Sequence, residues 1–457
     1  MITNNTEQII ERFILQSKEK KNDILFFSLA IPTEYCNSFN ILSNIQQSEK
    51  AIFFAKSKHE NFSFLAFGSI YDIKIDKHDY LDITKNEIIN IQSKIFSNHK
   101  LVGIKCLPFF LGGIKFNDDA KFDMWNDYAF SDWFIPRFVF FEKQNNTYLI
   151  LNFYKSLPTK NEILETLSYA LKLSAANTLQ IKKNMLKEIS NTNEEWETIV
   201  NTALQEISNG RLKKVVLSRY KKYEMLSNYN IADLVDRLSQ IYPQTLVFVF
   251  RRGASFFIGA TPELFLSYKN NEIHTEALAG SIKRGRSKTE DDELAIKLLE
   301  NNKERNEHAL VVDFVLKILS NYSSNIIYDA TPKVKKLSNV QHLRTKIKAK
   351  LNDESSLFEV MNELYPTPAI GGFPVKEAKQ MITELEKYPR GLYAGLIGWI
   401  NLDQGMELYI GIRSALIKNN LLLIFAGCGI VEGSTPIQEF QETEIKVKPI
   451  LNLFTDE

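Results

Sequence analysis

The chain has 457 residues, of which 44% are hydrophobic and 24% are charged, and its formal net charge at pH 7 is +1. This length predicts a globular protein with a large core and room for more than one domain. The nearly balanced charge gives no electrostatic reason to expect a nucleic-acid partner or an anionic membrane surface. The apolar runs are strand-sized, the N-terminus does not resemble a signal peptide, and Cys36, Cys106 and Cys428 are too far apart for a disulfide framework. We therefore expect a cytoplasmic protein without a membrane span.

The first of two regions, residues 1–190, carries aromatic-rich runs bounded by turn residues, a pattern typical of strands. No low-complexity linker separates it from residues 191–457, so we expect the two regions to pack as one structural unit. The predicted strands of the first region cover 24–31, 51–55, 62–68, 101–110, 134–143 and 147–154, and the predicted helices cover 87–97 and most of 160–191.

The second region opens with an amphipathic helix over 194–209 and then a strand over 213–219, which starts with Lys213 and Lys214. Because side chains alternate along a strand, only one of these two lysines can point into the protein. Farther on, Glu263 follows a Thr-Pro turn and stands at the mouth of an apolar strand. One lysine and one carboxyl group are thus expected close to the core.

A further strand, over 273–281, ends in the small residues Gly280 and Ser281, whose backbone amides could approach an anion. Residues 283–293 are predicted to form a loop of mixed charge. His342, one of six histidines in the chain, lies in a Gln-His-Leu segment beyond it.

Four glutamates fall into two pairs with helical spacing. Glu304 and Glu307 are three residues apart on one predicted helix, and Glu439 and Glu442 are three apart on another, with Lys446 four residues later. Residues at these spacings share one helix face. Two helices that each present two carboxylates predict an oxygen-lined site for a hard cation such as Mg²⁺.

Arg413 interrupts an otherwise apolar stretch near the end of the chain. A buried arginine needs an anionic partner from the protein or from a ligand. The surrounding segments, 391–400, 407–413 and 421–426, predict a meander of strands, the last of which breaks at Gly427. Strand clusters with hairpin connections and interspersed helices predict an α+β fold with antiparallel sheets.

Ten short motifs in order between residues 195 and 452 resemble the chorismate-utilising enzyme family, which includes isochorismate synthases, salicylate synthases, anthranilate synthase component I and aminodeoxychorismate synthases. The resemblance implies an α+β sandwich of two large antiparallel sheets with helices packed outside. It also implies a deep site between the sheets, a Mg²⁺ ion and chorismate as the substrate, with residues 1–190 as the family's variable half. The motifs are KVVLSR, GATPELFL, ALAGS, ERNEH, QHL, YPTPAIGGFP, GLYAGLIGW, IGIRSA, AGCGIV and EFQETEIK.

At three positions the chain resembles the isochorismate synthase branch of this family. Lys214 stands where the branches that add ammonia have glutamine, and a lysine kept neutral by burial and cationic neighbours can act as a general base. Ala279 stands where aminodeoxychorismate synthases carry a lysine that attacks the ring. Ala369 stands where the anthranilate and salicylate branches usually have threonine. The implied reaction is Mg²⁺-dependent addition of water at C2 of chorismate with loss of the C4 hydroxyl.

In this reaction Lys214 is expected to be the base that activates water and Glu263 the acid that protonates the leaving oxygen. The apolar neighbours Leu264 and Phe265 favour a protonated Glu263, since desolvation raises a carboxyl pKa.

The resemblance implies that Glu307 and Glu442 hold Mg²⁺ and that Glu304 and Glu439 act on it through water. The remaining residues implied to bind chorismate are Arg413 and Gly427 at the enolpyruvyl carboxylate, Lys446 beside Glu442, and Gly280, Ser281, His342 and Ala369 around the ring.

Several alternatives stay open from the sequence. A salicylate synthase would make isochorismate and then eliminate pyruvate in the same site, and an anthranilate synthase would use ammonia. A catalytically inactive family member would serve as a chorismate-binding or regulatory subunit. The product of an isochorismate synthase could feed menaquinone, siderophore or salicylate biosynthesis, and the protein could be a monomer or a homodimer.

Overall fold

The computed structural model describes residues 3–20, 23–34, 37–58, 61–76, 78–102, 109–117, 122–144, 146–174, 186–191, 195–338, 340–401 and 405–454.

The strands of the described chain belong to one hydrogen-bonded sheet, in which every pair of neighbouring strands is antiparallel except β1 with β4. The strands are β1 (Phe26–Thr33), β2 (Ala51–Ser57), β3 (Phe62–Ile75), β4 (Ile95–Ser97), β5 (Phe110–Ile114), β6 (Ser131–Lys143), β7 (Asn146–Tyr154), β8 (Leu186–Asn191), β9 (Lys214–Met225), β10 (Leu246–Arg252), β11 (Ser255–Thr261), β12 (Leu264–Lys269), β13 (Glu272–Lys283), β14 (Asn325–Tyr328), β15 (Lys333–Lys336), β16 (Val340–Lys350), β17 (Gly372–Phe373), β18 (Leu396–Asn401), β19 (Gly405–Ile410), β20 (Ser414–Lys418) and β21 (Leu421–Val431).

Helices lie between the strands along the described chain. They are α1 (Asn4–Lys18), α2 (Ser38–Ile45), α3 (Tyr80–Gln92), α4 (Lys160–Leu173), α5 (Trp196–Ser208), α6 (Ile231–Ile241), α7 (Lys288–Glu300), α8 (Asn302–Tyr322), α9 (Leu357–Leu364), α10 (Val375–Leu385) and α11 (Pro436–Leu451). No described helix is both long enough and apolar enough to cross a membrane.

The sheet has two arms that share the long strand β6. One arm runs β9–β21–β20–β11–β10–β2–β3–β6–β7–β1, and the other runs β6–β5–β18–β19–β12–β13–β16. Strands from the first region therefore lie inside both arms, with β2 between β10 and β3, and β5 between β6 and β18. We propose on this basis that residues 1–190 and 191–457 form a single unit.

The inner faces of the two arms pack against each other. The Trp399 ring on β18 meets the edges of Phe62 and Phe64 on β3 at centroid distances of 5.7 and 5.2 Å. Such edge-to-face aromatic contacts add about 0.5–1.5 kcal/mol each to the burial of the rings. The predicted sandwich is therefore formed by two arms of one continuous sheet that pack face to face.

Helices cover the outer face of the first arm. Residues alternate along β2, so that Phe53 belongs to the inner core while Phe54 belongs to a second core beneath the helices. That second core takes Phe13 from α1, Leu167 from α4 and Leu234 from α6. This arrangement confirms the α+β class with helices packed outside.

Several local predictions were wrong in their details. Residues 283–293 were expected to be a loop, but α7 begins at Lys288 because the Ser287 side chain accepts a hydrogen bond from the backbone of Glu290 and caps the helix. Residues 95–97 and 186–191 form strands where helix was expected. Most of the strand expected over 101–110 lies outside the described residues.

The expected three-strand meander is also only partly right. β18 and β19 do form a hairpin, but the next strand is β20, which was not predicted, and β21 pairs with β20 and β9. The chain therefore leaves the second arm after Ile410 and enters the first arm at Ser414. Arg413 lies in this crossover with a φ of +52° and does not interrupt a strand.

Candidate active site

A cavity lies between the two arms, and it brings the predicted site residues together from eight separate parts of the chain. All of them except Lys214 line the cavity: Glu263, Gly280, Ser281, Glu304, Glu307, His342, Ala369, Arg413, Gly427, Glu439, Glu442 and Lys446.

Lys214 is the first inward-facing residue of β9 and is only 1% exposed, whereas its neighbour Lys213 is exposed. Its Nζ lies 2.6 Å from Oε1 of Glu307, which does line the cavity. The group in contact with this amine is thus a carboxylate, where cationic neighbours had been expected. The charge-assisted contact fixes the amine at the cavity wall.

Gly429 makes room for this ion pair. A Cβ at position 429 would lie 2.8 Å from Cε of Lys214 and 3.0 Å from Oε1 of Glu307. The glycine does not break β21, as the sequence had suggested for this segment, because the strand runs through Gly427 and Gly429 to Val431. The absent side chain serves packing within a continuous strand.

Helix α8 is held close to β13, because Val311 packs on the small side chains of Ala277 and Ala279. At the start of this helix, the Glu304 carboxylate accepts a hydrogen bond of 2.7 Å from the backbone N–H of Ser281. Ser281 follows a bulge in β13 where Gly280 has a φ of +76°, a conformation that favours glycine.

Helix α11 starts with a side-chain cap, since Thr435 accepts a hydrogen bond from the backbone N–H of Gln438. Arg219 on β9 fixes the middle of the helix by donating to Oγ1 of Thr443 at 2.6 Å and by lying 4.2 Å from the ring centre of Phe440. The helix therefore presents one constant face to the cavity.

On that face, Nζ of Lys446 donates to Oε1 of Glu442 at 2.6 Å and to the carbonyl oxygen of Gly427 at 2.9 Å. Burial acts to raise the pKa of Glu442, but the positive charges of Lys446, Arg413 and Lys303 outweigh it, so that the pKa is lowered. Glu442 is therefore ionised in the cavity.

The other carboxyl groups repel one another. Burial and then the negative charges of Glu307 and Glu442 raise the pKa of Glu304 to about 7. Burial and then Glu442 also raise the pKa of Glu439, although Nζ of Lys303 lies 3.6 Å from it. The positive charge near these two glutamates therefore does not offset the effects of burial and of the neighbouring carboxylates on their pKa values.

The donor set fits a hard divalent cation, because four carboxylates face one cavity and two of them have a raised pKa. Within the described chain, no three His, Cys, Asp or Glu side chains are yet gathered closely enough to hold an ion. Glu307 and Glu442 instead contact Lys214 and Lys446.

His342 lies on β16 opposite the bulge in β13. Its Nδ1 lies 3.1 Å from the carbonyl oxygen of Gly280 and 3.0 Å from Oγ of Ser281, and its Nε2 is 3.5 Å from Nη2 of Arg413. Burial and then the charge of Arg413 hold the pKa of His342 well below its usual range. The imidazole ring is therefore neutral, and it does not repel the guanidinium of Arg413 beside it.

Glu263 is 5% exposed in the short connection between β11 and β12. Burial and then the negative charge of Glu276 raise the pKa of Glu263 to about 8. The carboxyl group is therefore protonated at neutral pH and can donate a proton into the cavity.

Comparison with known proteins adds a decisive observation. The model of a family described as chorismate binding enzyme matches residues 10–455, which is nearly the whole chain. The chain belongs to the chorismate-binding enzyme family. The family expected from the ten sequence motifs is thereby confirmed.

Several relatives of this chorismate-binding enzyme are named isochorismate synthases. It is 31% identical over 365 residues to isochorismate synthase MenF of Bacillus subtilis (strain 168), covering 78% of this chain and 77% of the relative. It is 28% identical over 431 residues to isochorismate synthase MenF of Haemophilus influenzae, covering 88% and 99%. The solved structure of MenF, the menaquinone-specific isochorismate synthase of Escherichia coli, superposes with a TM-score of 0.78 at 22% identity over 98% of this chain and 99% of that one. This structural likeness confirms the predicted fold.

Lys303, Arg390 and Tyr393 also line the cavity of the chorismate-binding enzyme, but they were not singled out from the sequence. Lys303 directly precedes Glu304, so its helical position was available as a signal. Arg390 stands in an apolar and glycine-rich segment, as Arg413 does, and the same reasoning about buried arginine applies to it.

Arg390 is fully buried and joins three parts of the cavity wall. Its guanidinium donates to both carboxylate oxygens of Glu386, at 2.6 and 2.8 Å. It also donates to the carbonyl oxygens of Val216, at 2.6 Å, and of Ile370, at 3.0 Å. It thereby fixes β9 near Lys214 against the turn that carries Ala369.

We expect Arg390→Met to lower the free energy of unfolding by about 3–5 kcal/mol, because it leaves the buried carboxylate of Glu386 without a counter-charge. Urea denaturation followed by circular dichroism measures the change. Lys387→Met is the matched control, since the Lys387 side chain is 74% exposed and its pair with Glu195 should contribute about 0–1 kcal/mol. Equal stability of the two variants would contradict the structural role of Arg390.

Proposed function

We propose that this protein is an isochorismate synthase, which converts chorismate to isochorismate by adding water at C2, shifting the double bonds and releasing the C4 hydroxyl as water. The observation that carries the proposal is a buried lysine, Lys214, held at the wall of a cavity that also contains a protonated carboxyl group, Glu263. The names of the relatives support the same reaction.

Lys214 is the proposed base. Its Nζ takes a proton from the incoming water, a task that glutamine at the same position could not perform. The close approach of Gly429 confines the amine to the cavity wall. The amine can take this proton once its contact with Glu307 has opened and it has lost its own proton.

Glu263 is the proposed acid. Its carboxyl group is protonated below about pH 8 and donates that proton to the leaving C4 oxygen. The proton taken by the base and the proton given by the acid balance, so the reaction releases one water for each water added.

The substrate carries two carboxylates, and Arg413 supplies positive charge for one of them. Arg413 and the N–H of Gly427 are proposed to bind the enolpyruvyl carboxylate, because both residues line the cavity and both supply hydrogen-bond donors. The carbonyl oxygen of Gly427 accepts a hydrogen bond from Lys446 and takes no part in this contact. Gly280, Ser281, His342 and Ala369 are proposed to enclose the ring, because all of them line the same cavity.

We propose Mg²⁺ as the cofactor, held by Glu307 and Glu442, with Glu304 and Glu439 acting on it through water. When bound, the cation supplies charge stabilisation at the ring carboxylate beside the reacting carbons. The four carboxylates supply the negative charge that holds it, and burial strengthens that attraction.

The test is to incubate the purified protein with chorismate and Mg²⁺ and to follow the products by liquid chromatography. Isochorismate as the main product is the expected result. Salicylate with pyruvate would identify a salicylate synthase, and ammonia-dependent anthranilate would identify an anthranilate synthase. Unchanged chorismate would identify an inactive binding or regulatory subunit.

The product is proposed to enter menaquinone or siderophore biosynthesis. We also propose a cytoplasmic location. The protein is proposed to be a monomer or a homodimer, and sedimentation analysis of the purified protein would distinguish the two states.

A further inference from the structure

An ion pair outside the predicted site holds the segment that carries Glu263. Nζ of Lys335 on β15 donates to Oε1 of Glu276 on β13 at 2.7 Å. It also donates to the carbonyl oxygen of Pro262 at 2.6 Å, and Oε1 of Glu276 accepts a hydrogen bond of 3.5 Å from the backbone N–H of Leu264. The residues directly before and after Glu263 are thus each held by one member of the pair.

The pair is well shielded from solvent, with side-chain exposures of 10% for Glu276 and 15% for Lys335. Such charges act on their neighbours through a medium of lower polarity than water, so their influence on a nearby group is larger than on the surface. A backbone clamp alone would not need two charges, since a neutral donor and acceptor could make the same contacts.

We propose that Glu276 and Lys335 are positioning residues for the acid Glu263. Together they fix its backbone, while the negative charge of Glu276 favours retention of its proton and the positive charge of Lys335 favours release of that proton. This inference rests on the proposed function, in which that proton goes to the leaving oxygen.

The electrostatics of the surroundings agree with the geometry. After burial, the negative charge of Glu276 is the strongest influence that raises the pKa of Glu263, and Lys335 is the strongest that lowers it. The other charges that face this carboxyl group are Lys214 on β9, Lys446 on α11 and Arg413 in the crossover after β19. Glu276 also has a second cation nearby, because Nη1 of Arg344 lies 4.0 Å from its Oε2.

The experiment is the pH dependence of kcat for isochorismate formation in the full-length protein. The wild-type rate is expected to fall as pH rises through about 8, because Glu263 then loses its proton. Glu276→Gln removes the negative charge while keeping an oxygen for the N–H of Leu264, and it should move this fall to lower pH by about one unit. Lys335→Met removes the positive charge and should move the fall to higher pH by a similar amount.

The two opposite shifts separate a charge effect from loss of structure, which would lower the rate at every pH in both variants. Glu276→Asp keeps the charge and should keep the fall near its wild-type position. Lys333→Met, on the same strand but with a side chain that is 65% exposed, is the matched control and should change nothing.

An active wild-type protein whose pH profile does not move in either variant, or moves in the same direction in both, would overturn the inference. A wild-type protein that makes no isochorismate would refute the proposed function itself. If one variant fails to fold, the direction of the shift in the other still decides the matter.

Discussion

Replacement of Lys214 by alanine is expected to lower kcat for isochorismate formation by about 10²–10⁴-fold, because the water loses its general base. The affinity for chorismate should change little, since Lys214 contacts Glu307 and is not among the residues proposed to bind the substrate. Steady-state kinetics with Mg²⁺ measures the rate, and isothermal titration calorimetry measures chorismate binding.

The alanine variant also leaves the carboxylate of Glu307 without its partner, so a second variant is needed to exclude a folding defect. Lys214→Gln retains a donor for Glu307 but cannot accept a proton, and it should be as inactive as the alanine variant. Lys213→Ala is the matched control, because Lys213 is exposed on the neighbouring position, and it should retain full activity. A Lys214→Gln protein with nearly normal turnover would refute the role of the lysine.

Removal of divalent cations with EDTA is expected to reduce turnover by roughly 10³-fold or more, since Lewis-acid stabilisation is worth several kcal/mol. Adding excess Mg²⁺ should restore it. Binding has a readout that does not depend on activity: a cation that binds only the folded state raises the melting temperature in a concentration-dependent way. Differential scanning fluorimetry with increasing Mg²⁺ measures this rise.

The control for the metal experiment lies on the same part of the chain. Glu442→Gln removes one proposed ligand and should abolish both the rise in melting temperature and the rescue of activity. Glu432→Gln changes an exposed glutamate and should preserve both. Full activity in the presence of excess EDTA would show that the carboxylates serve another purpose.

The parts of the site that the sequence predicted best are those with a local spacing signal. The spacing of Glu304 with Glu307 and of Glu439 with Glu442 placed each pair on one helix face, and all four line the cavity. The alternation of a strand showed that only one of Lys213 and Lys214 could point inward, and the resemblance to the family selected Lys214. Such regularities depend on neighbouring residues and are visible in the sequence itself.

Contacts between segments that are distant along the chain could not be predicted from the sequence. Nothing near Lys214 indicates that Glu307, 93 residues later, will pair with it. The clamp on Glu263 depends on Lys335, 73 residues away from its partner Pro262. These contacts join segments that only the tertiary structure brings together, and single-sequence patterns do not encode it.

The glycines show why the end of β21 was misjudged. Glycine usually weakens a strand, so Gly427 suggested a break ahead of Gly429. In the folded chain both face crowded surroundings, where a side chain at 429 would strike the Lys214–Glu307 pair. The reason for these residues is a neighbour that only the three-dimensional structure reveals.

The interleaving of β2 and β5 bears on how the protein can be dissected. A fragment that starts at residue 191 would retain every proposed catalytic and metal-binding side chain. It would nevertheless expose the edge of β10 that β2 covers and the edge of β18 that β5 covers. Uncovered edges recruit strands from other molecules, so such a truncation should aggregate when expressed. A minimal catalytic unit would therefore have to keep the N-terminal strands, although they carry none of the proposed chemistry.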